Sequence, residues 1–431
     1  MNRKTLVALI AAVSATFLAG CQTKPSDPNK VTKYEGRAYD IPDHVRSQPN
    51  DATISYYYRG KDNNRLLEPN IYLVVNPANN PIEFDRALET HPVIEKELGN
   101  STILSYLYYE NGKVIYDALP PSDRFTMKLN NESYFISNSV GKSINSYLVG
   151  HAICNGYIES VDAPIKDWEL MKDTLYFGQP LINLLNMKSG DSSVIKQFGG
   201  EFKNTGRPLH GYAPLLTAVR TEGELKNSKP AKHQNFSYSD LTADVISSYL
   251  IQRIGSDYEQ FISDFYQNKV KVEHPIYIRF SPVTDGYLPT MEKRIEQGAG
   301  MYILYATRYD YLRIATAMMD DWQQDTCEGK YLKDLYSRRV SMNRRQAGWS
   351  SANMKWGKPQ FNSNAKKYGG QFWTDFTGLS GRNVLLMDGY NGQQIVMDMD
   401  NSRIVVINAI KAKHYDTKKL GYEPIKYGRI R

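Results

Sequence analysis

Downstream of residue 139 the apolar positions fall at helical spacing. Val140, Ile144, Tyr147, Leu148 and His151 share one face of a helix that Gly156 can end. The same rhythm predicts helices from Pro180 to a stop at Gly190, over 240–254 with Gly255 as the stop, over 258–265, and over 308–319 behind Thr307 as N-cap. On either side of this stretch the period shortens to two. "TILSYLYYENGKVIYDA" alternates about Asn111-Gly112, a strong hairpin signal, and "RNVLLMDGY", "QQIVMDMD" and "SRIVVINAI" read as strands, with Asp400-Asn401 turning between the last two. Residues 71–75 make a shorter strand-like run, and 84–98 fit a helix. Strands at both ends with helices between them predict an α+β fold, in which one antiparallel sheet is assembled from both ends of the chain and a helical lobe is inserted.

The first residues belong to a different organisation. "MNRKTLVALIAAVSATFLAGC" places Arg3 and Lys4 before an apolar run and then small residues, the pattern of an export signal, and the run is shorter than the roughly 20 residues of a membrane span. Leu18-Ala19-Gly20-Cys21 resembles a bacterial lipobox, which implies lipidation at Cys21. The resulting division is a lipoprotein signal peptide over 1–20, a polar, proline-bearing tether over 21–50, an N-terminal arm over 51–100 and the main domain over 101–431. The expected location is the periplasmic face of a bacterial membrane. Gln22 stands where an aspartate would mark inner-membrane retention, which points to the outer membrane. In such a compartment Cys154 and Cys327 are free to pair, yet Cys154 sits in an apolar helical pattern and reads as a buried free thiol.

Composition removes several functions. The 53 basic and 46 acidic residues among 431 give a formal charge of +7 without a long basic block, so a nucleic-acid partner is not expected. The seven histidines show no His-Glu-x-x-His spacing, no Gly-x-x-x-x-Gly-Lys loop occurs, and no Gly-x-Ser-x-Gly elbow is present. No metal, nucleotide or other cofactor is therefore expected.

What remains is a serine and a lysine. Ser139 lies in the first turn of the predicted helix and Lys142 three residues on, so the two side chains are neighbours on its surface. A serine hydroxyl is a poor nucleophile until a base takes its proton, and a lysine can be that base if burial lowers its ordinary pKa of about 10.4. The helix N-terminus favours negative charge developing nearby. Ser-x-x-Lys recurs at Ser193/Lys196 and Ser363/Lys366, but without a preceding hairpin or a following amphipathic helix.

"SNSVGKSINSYLVGHAICNGYIESVDAPI", "LINLLNMKSG", "FSYSDLTADVISSYLIQRIG", "GAGMYILYATRYDYLRIATAMM" and "DGYNGQQIVMDMDNSRIVVI" occur in this order between residues 101 and 410. Together they resemble the penicillin-recognising serine hydrolases: class C β-lactamases, D-alanyl-D-alanine peptidases, and related esterases and 6-aminohexanoate-oligomer hydrolases. The resemblance implies a β-lactamase/transpeptidase-like fold. It implies Ser139 as acyl-forming nucleophile, Lys142 as its base partner and Tyr238 as a proton relay. The N–H groups of Ser139 and Tyr390 would form the oxyanion hole beside Gly389, with Asp240 and Asp388 at the substrate pocket.

Two departures bear on the chemistry. Asp240 replaces the asparagine of the Tyr-x-Asn motif, and a carboxylate beside Lys142 favours its charged form, so either Tyr238 takes more of the proton transfer or Asp240 points away as a helix cap. Met387-Asp388-Gly389 lacks the basic residue that holds the carboxylate of a β-lactam or a terminal D-alanine. The implied substrate is a small or oligomeric amide or ester, with a binding lipoprotein of weak or no activity, a β-lactamase and a carboxypeptidase as the alternatives.

Overall fold

The computed structural model describes residues 58–59, 71–125, 128–196, 201–205, 213–220, 224–284, 289–342, 365–410 and 415–431. The expected signal peptide, Cys21 and the tether lie outside these residues. In chain order the strands are β1 Tyr58–Arg59, β2 Tyr72–Val75, β3 Asp85–Arg86, β4 Ile103–Glu110, β5 Lys113–Ala118, β6 Tyr134–Ile136, β7 Ile276–Phe280, β8 Gly300–Thr307, β9 Val340–Ser341, β10 Ala365–Gly369, β11 Phe372–Phe376, β12 Val384–Gly389, β13 Gln393–Asp398 and β14 Arg403–Ala409. The principal helices are α1 Pro92–Asn100, α2 Val140–Cys154, α3 Asp240–Ile254, α4 Tyr258–Asp264, α5 Arg308–Gln324 and α6 Cys327–Ser337.

The larger sheet runs β3-β5-β4-β14-β13-β12-β11-β10-β9 and is antiparallel except for the β3–β5 pair. Its β4–β5 hairpin turns on Asn111 (φ 48°) and Gly112 (φ 87°), the left-handed pair that a two-residue hairpin demands. β14 pairs with β4 from Arg403↔Glu110 to Ala409↔Ile103, so the two ends of the domain share one sheet, as the strand pattern predicts. Two of the three tyrosines of β4 are buried with their hydroxyls satisfied: Tyr106 donates to the Leu420 carbonyl (2.9 Å) and Tyr108 to that of Pro424 (3.4 Å), which pins the C-terminal segment ending in the helix Glu423–Tyr427 to the sheet.

A second sheet, β1-β6-β8-β7-β2, was not foreseen. Its centre, β8, has all eight residues buried, so both faces are covered and no polar alternation marks it in the sequence. The helix expected over 84–98 is instead β3 followed by α1, because Pro92 fits only the first turn and His91 caps it, accepting from the Val93 N–H at 3.2 Å. The helix behind Thr307 runs to Gln324 and stops at left-handed Asp325 (φ 53°).

Glycines set how the layers meet. A Cβ on Gly141 of α2 would lie 1.9 Å from the Tyr302 carbonyl oxygen, and one on Gly300 would lie 2.5 Å from the Ser248 nitrogen of α3. β8 is therefore held close against both α2 and α3. Position 302 falls between the two helices that carry residues 142 and 240.

The expectation of a free thiol at Cys154 is wrong. Cys154, at the C-terminal end of α2, and Cys327, the first residue of α6, form a disulfide with a Cα–Cα distance of 5.8 Å. Apolar spacing places Cys154 on the helix correctly, but which element faces its sulfur is set by tertiary packing 173 residues away.

Candidate active site

Ser139 occupies the N-cap position of α2 (φ −72°, ψ −5°), immediately after Asn138 in the left-handed region (φ 46°). That turn is pinned from both sides. The Ser137 N–H donates to the Leu304 carbonyl (2.8 Å) and the Leu304 N–H to Ser137 Oγ (3.0 Å), which fixes it to β8. Asn138 Nδ2 donates to the Tyr390 carbonyl (3.0 Å), which fixes it to the end of β12. A Cβ on Gly389 would stand 2.6 Å from the Ser137 carbonyl oxygen, so only glycine lets β12 approach the turn this closely.

α2 is buried on every side from Val140 to Gly150, so Lys142, opposite the Val140–Ile144 face, is also enclosed and is 1% exposed. Its Nζ is 2.8 Å from Ser139 Oγ and 2.5 Å from Asp240 Oδ1. Tyr238 precedes α3 and lies beside both, near enough that Ser139 and Lys142 each act on its phenol. Its ring stacks on Trp373 (5.7 Å, 29°) and meets Tyr368 edge-on (6.1 Å, 84°), so β10 and β11 hold it in place. Ser239, not Asp240, caps α3 by accepting from the Thr242 N–H at 3.1 Å. Asp240 does not point away; it is turned into the site. The N-terminal ends of two helices, α2 and α3, thus bring Ser139, Lys142, Tyr238 and Asp240 together.

Two further residues complete the arrangement and carry no sequence signal. Tyr302 donates from its hydroxyl to Asp240 Oδ1 (2.9 Å), and its ring centroid is 3.8 Å from Lys142 Nζ; the ring of Tyr238 stands 4.9 Å from the same nitrogen. Asp191, fully buried, accepts on Oδ2 from Ser239 Oγ, Thr242 Oγ1 (2.7 Å) and Tyr176 (3.0 Å). It therefore anchors the first turn of α3 between Tyr238 and Asp240. Tyr302 lies in a uniformly buried strand and Asp191 in a loop after Gly190, so neither stands out by periodicity.

The charges follow from this packing. Burial opposes the Lys142 ammonium, but the Asp240 carboxylate and Tyr238 outweigh it and hold its pKa above the ordinary lysine value. Burial pushes the Tyr238 phenol up, the Lys142 charge pulls it partly back, and Asp240 adds to the rise. Lys142 is thus a cation at neutral pH. The condition for a lysine base, a lowered pKa, is not met here.

The remaining candidates are placed as follows. Gly389 and Tyr390 form the turn beside Ser137 and Asn138, with Tyr390 46% exposed at the rim. Asp388 accepts from Gln394 Nε2 on the adjacent strand (2.7 Å), and Met387 is fully buried. Ser193 and Lys196 do not form a dyad: Ser193 Oγ donates to the Lys229 carbonyl (2.7 Å) and Lys196 pairs with Glu201 (3.7 Å). Ser363 lies outside the described residues. Among the described residues, no group of three His, Cys, Asp or Glu side chains is placed to hold a metal ion.

No protein-family model matches the chain, and no curated protein matches it by sequence. Solved structures do match. A candidate 6-aminohexanoate-dimer hydrolase from Bacillus anthracis superposes with a TM-score of 0.52 at 15% identity, covering 82% of this chain and 89% of its own. A penicillin-binding protein from Bacillus halodurans gives 0.50 at 14% identity, covering 75% and 96%. The fold is β-lactamase/transpeptidase-like, as the ordered sequence segments imply.

Proposed function

We propose that this chain is an exported serine hydrolase that opens an amide or ester bond of a small or oligomeric substrate through an acyl-enzyme on Ser139. The observation that carries the reading is the meeting of Ser139, Lys142 and Tyr238 at the N-terminus of α2, with the Lys142 ammonium donating to the serine hydroxyl (2.8 Å) and standing 4.9 Å from the Tyr238 ring centroid. In acylation Ser139 Oγ bonds to the substrate carbonyl carbon, the carbonyl electrons move onto its oxygen, and the serine proton passes to the Tyr238 phenolate. The N–H groups of Ser139 and Tyr390 face the developing oxyanion. As the intermediate collapses, the amine or alcohol leaves with the proton from Tyr238. Water then attacks the acyl ester, gives its proton to Tyr238, and the acid departs as that proton returns to Ser139. Lys142 acts as a cation that stabilises the phenolate.

Met387 stands buried where the related motif has a basic residue, which speaks against substrates recognised through a carboxylate, such as β-lactams or a terminal D-alanine. The Cys154–Cys327 disulfide suits an oxidising compartment and so agrees with export, with the lipid anchor at Cys21 part of the same proposal. The 2.5 Å Lys142–Asp240 pair favours a second reading, a binding lipoprotein with a quenched site.

A fluorophosphonate probe separates the two. The expected result is a single adduct on the peptide that carries Ser139, and a second-order labelling rate that climbs about tenfold per pH unit between roughly pH 6 and 9, because the base form of Tyr238 grows with pH below its raised pKa. No adduct, or an adduct on another residue, sinks the hydrolase reading. A rate flat over that range removes Tyr238 as the base.

A further inference from the structure

Asp240 is awkward for a hydrolase of this kind. It tightens the hold on the Lys142 ammonium and sets a negative charge near the phenol that must ionise. The groups that face it are Lys142 from α2, Tyr302 from β8, Tyr238 just ahead of α3 and Tyr368 from β10, while Asp244 one turn along α3 acts on Tyr302. Of these, Tyr302 is held by its backbone as well as its side chain. It is 4% exposed, its backbone oxygen fills the space left by Gly141, and two residues earlier Gly300 sits against α3. Its hydroxyl reaches the same carboxylate oxygen that Lys142 contacts, and its ring lies against the ammonium.

We propose that Tyr302 is a positioning residue whose hydroxyl fixes the Asp240 carboxylate and takes up part of its charge, leaving more of the Lys142 ammonium to Tyr238 and Ser139. A hydrogen bond to an ionised acceptor spreads its charge and weakens its field on neighbours. Asp240 keeps Lys142 in place, and Tyr302 limits what that costs the base. The inference rests on the serine-hydrolase reading of the site and deepens it.

The test is the labelling rate with the fluorophosphonate probe, measured against pH on the full chain with its disulfide intact. Tyr302→Phe keeps the ring over Lys142 and removes only the hydroxyl. It is expected to slow labelling at pH 7 about three- to tenfold and to move the pH profile to higher pH, by up to roughly one unit. Asp240→Asn, which removes the charge, is expected to shift the profile the opposite way. In that background the added Tyr302→Phe change is expected to alter the rate less than about twofold, since Tyr302 acts through Asp240. Replacing Tyr302 by 3-fluorotyrosine, a stronger donor of nearly the same volume, is expected to move the profile to lower pH, and it carries the test if Tyr302→Phe does not fold. Equal slowing by Tyr302→Phe in both backgrounds, or an unmoved profile in the fluorotyrosine protein, overturns the inference while leaving the hydrolase reading intact. Absence of a Ser139 adduct in the wild-type protein overturns both.

Discussion

Replacing Lys142 by methionine is expected to slow labelling of Ser139 about a thousandfold at neutral pH, within the usual range for loss of one acid–base partner. Methionine keeps the apolar stem and removes the charge. The Tyr238 phenol, already pushed up by burial and by Asp240, then loses the cation that pulls it down, so its base form becomes scarcer at every pH. The substitution also strands a carboxylate whose side chain is only 21% exposed, and breaking one side of such a pair costs about 3 kcal/mol or more. Lys142→Met alone should therefore melt early. Lys142→Met with Asp240→Asn should regain most of the lost melting temperature but not the reactivity. Calorimetry and labelling on the two proteins separate a catalytic loss from a folding defect. Labelling of the double variant within tenfold of wild type would show that the ammonium is dispensable and that Tyr238 works alone.

Which parts of this site could be read in advance depends on how each residue is specified. Ser139 and Lys142 are linked by helix geometry over three residues, so local pattern suffices to pair them, while the burial of Lys142, opposite the apolar face, comes from tertiary packing that covers α2 on every side. Tyr238 and the Gly389-Tyr390 turn are distant in sequence but lie in segments whose order is itself informative. The direction of Asp240 was open between two alternatives because a residue at the start of a helix can cap it or face inward; Ser239 takes the cap and decides the matter. Tyr302 was invisible because β8 is buried on both faces and reads as an apolar run, in which one more tyrosine among the chain's 32 carries no signal. The second sheet was missed for the same reason. The hairpin at Asn111-Gly112 and the closure of β14 on β4 were legible because turn chemistry and period-two alternation act over a few residues.

The disulfide carries the other large effect. Cys154→Ser with Cys327→Ser opens a loop of 173 residues, and the chain-entropy relation assigns such a cross-link about 5 kcal/mol of stability through the unfolded state. With an unfolding entropy near 2 cal/mol/K per residue, this corresponds to a fall in Tm of roughly 6 °C. Reactivity at 25 °C should change far less. The disulfide clamps the C-terminal end of α2, whereas Ser139 sits at the other end, held by Ser137 and Asn138. Between them α2 stays anchored without the sulfurs: Tyr147 donates to Asp321, His151 Nδ1 lies 2.7 Å from Glu328 Oε1, and Lys269 joins both carboxylates at 2.9 and 3.3 Å. Those bonds hold Glu328 charged down to acid pH, with a pKa of about 2; burial opposes this, and the hydrogen bond with His151 and the nearby Lys269 outweigh it. The expected outcome is a variant that melts earlier in calorimetry yet labels at Ser139 within about twofold of wild type when folded. A parallel loss of labelling at 25 °C would mean that the disulfide also sets the register of α2, and with it the approach of Ser139 to Tyr238.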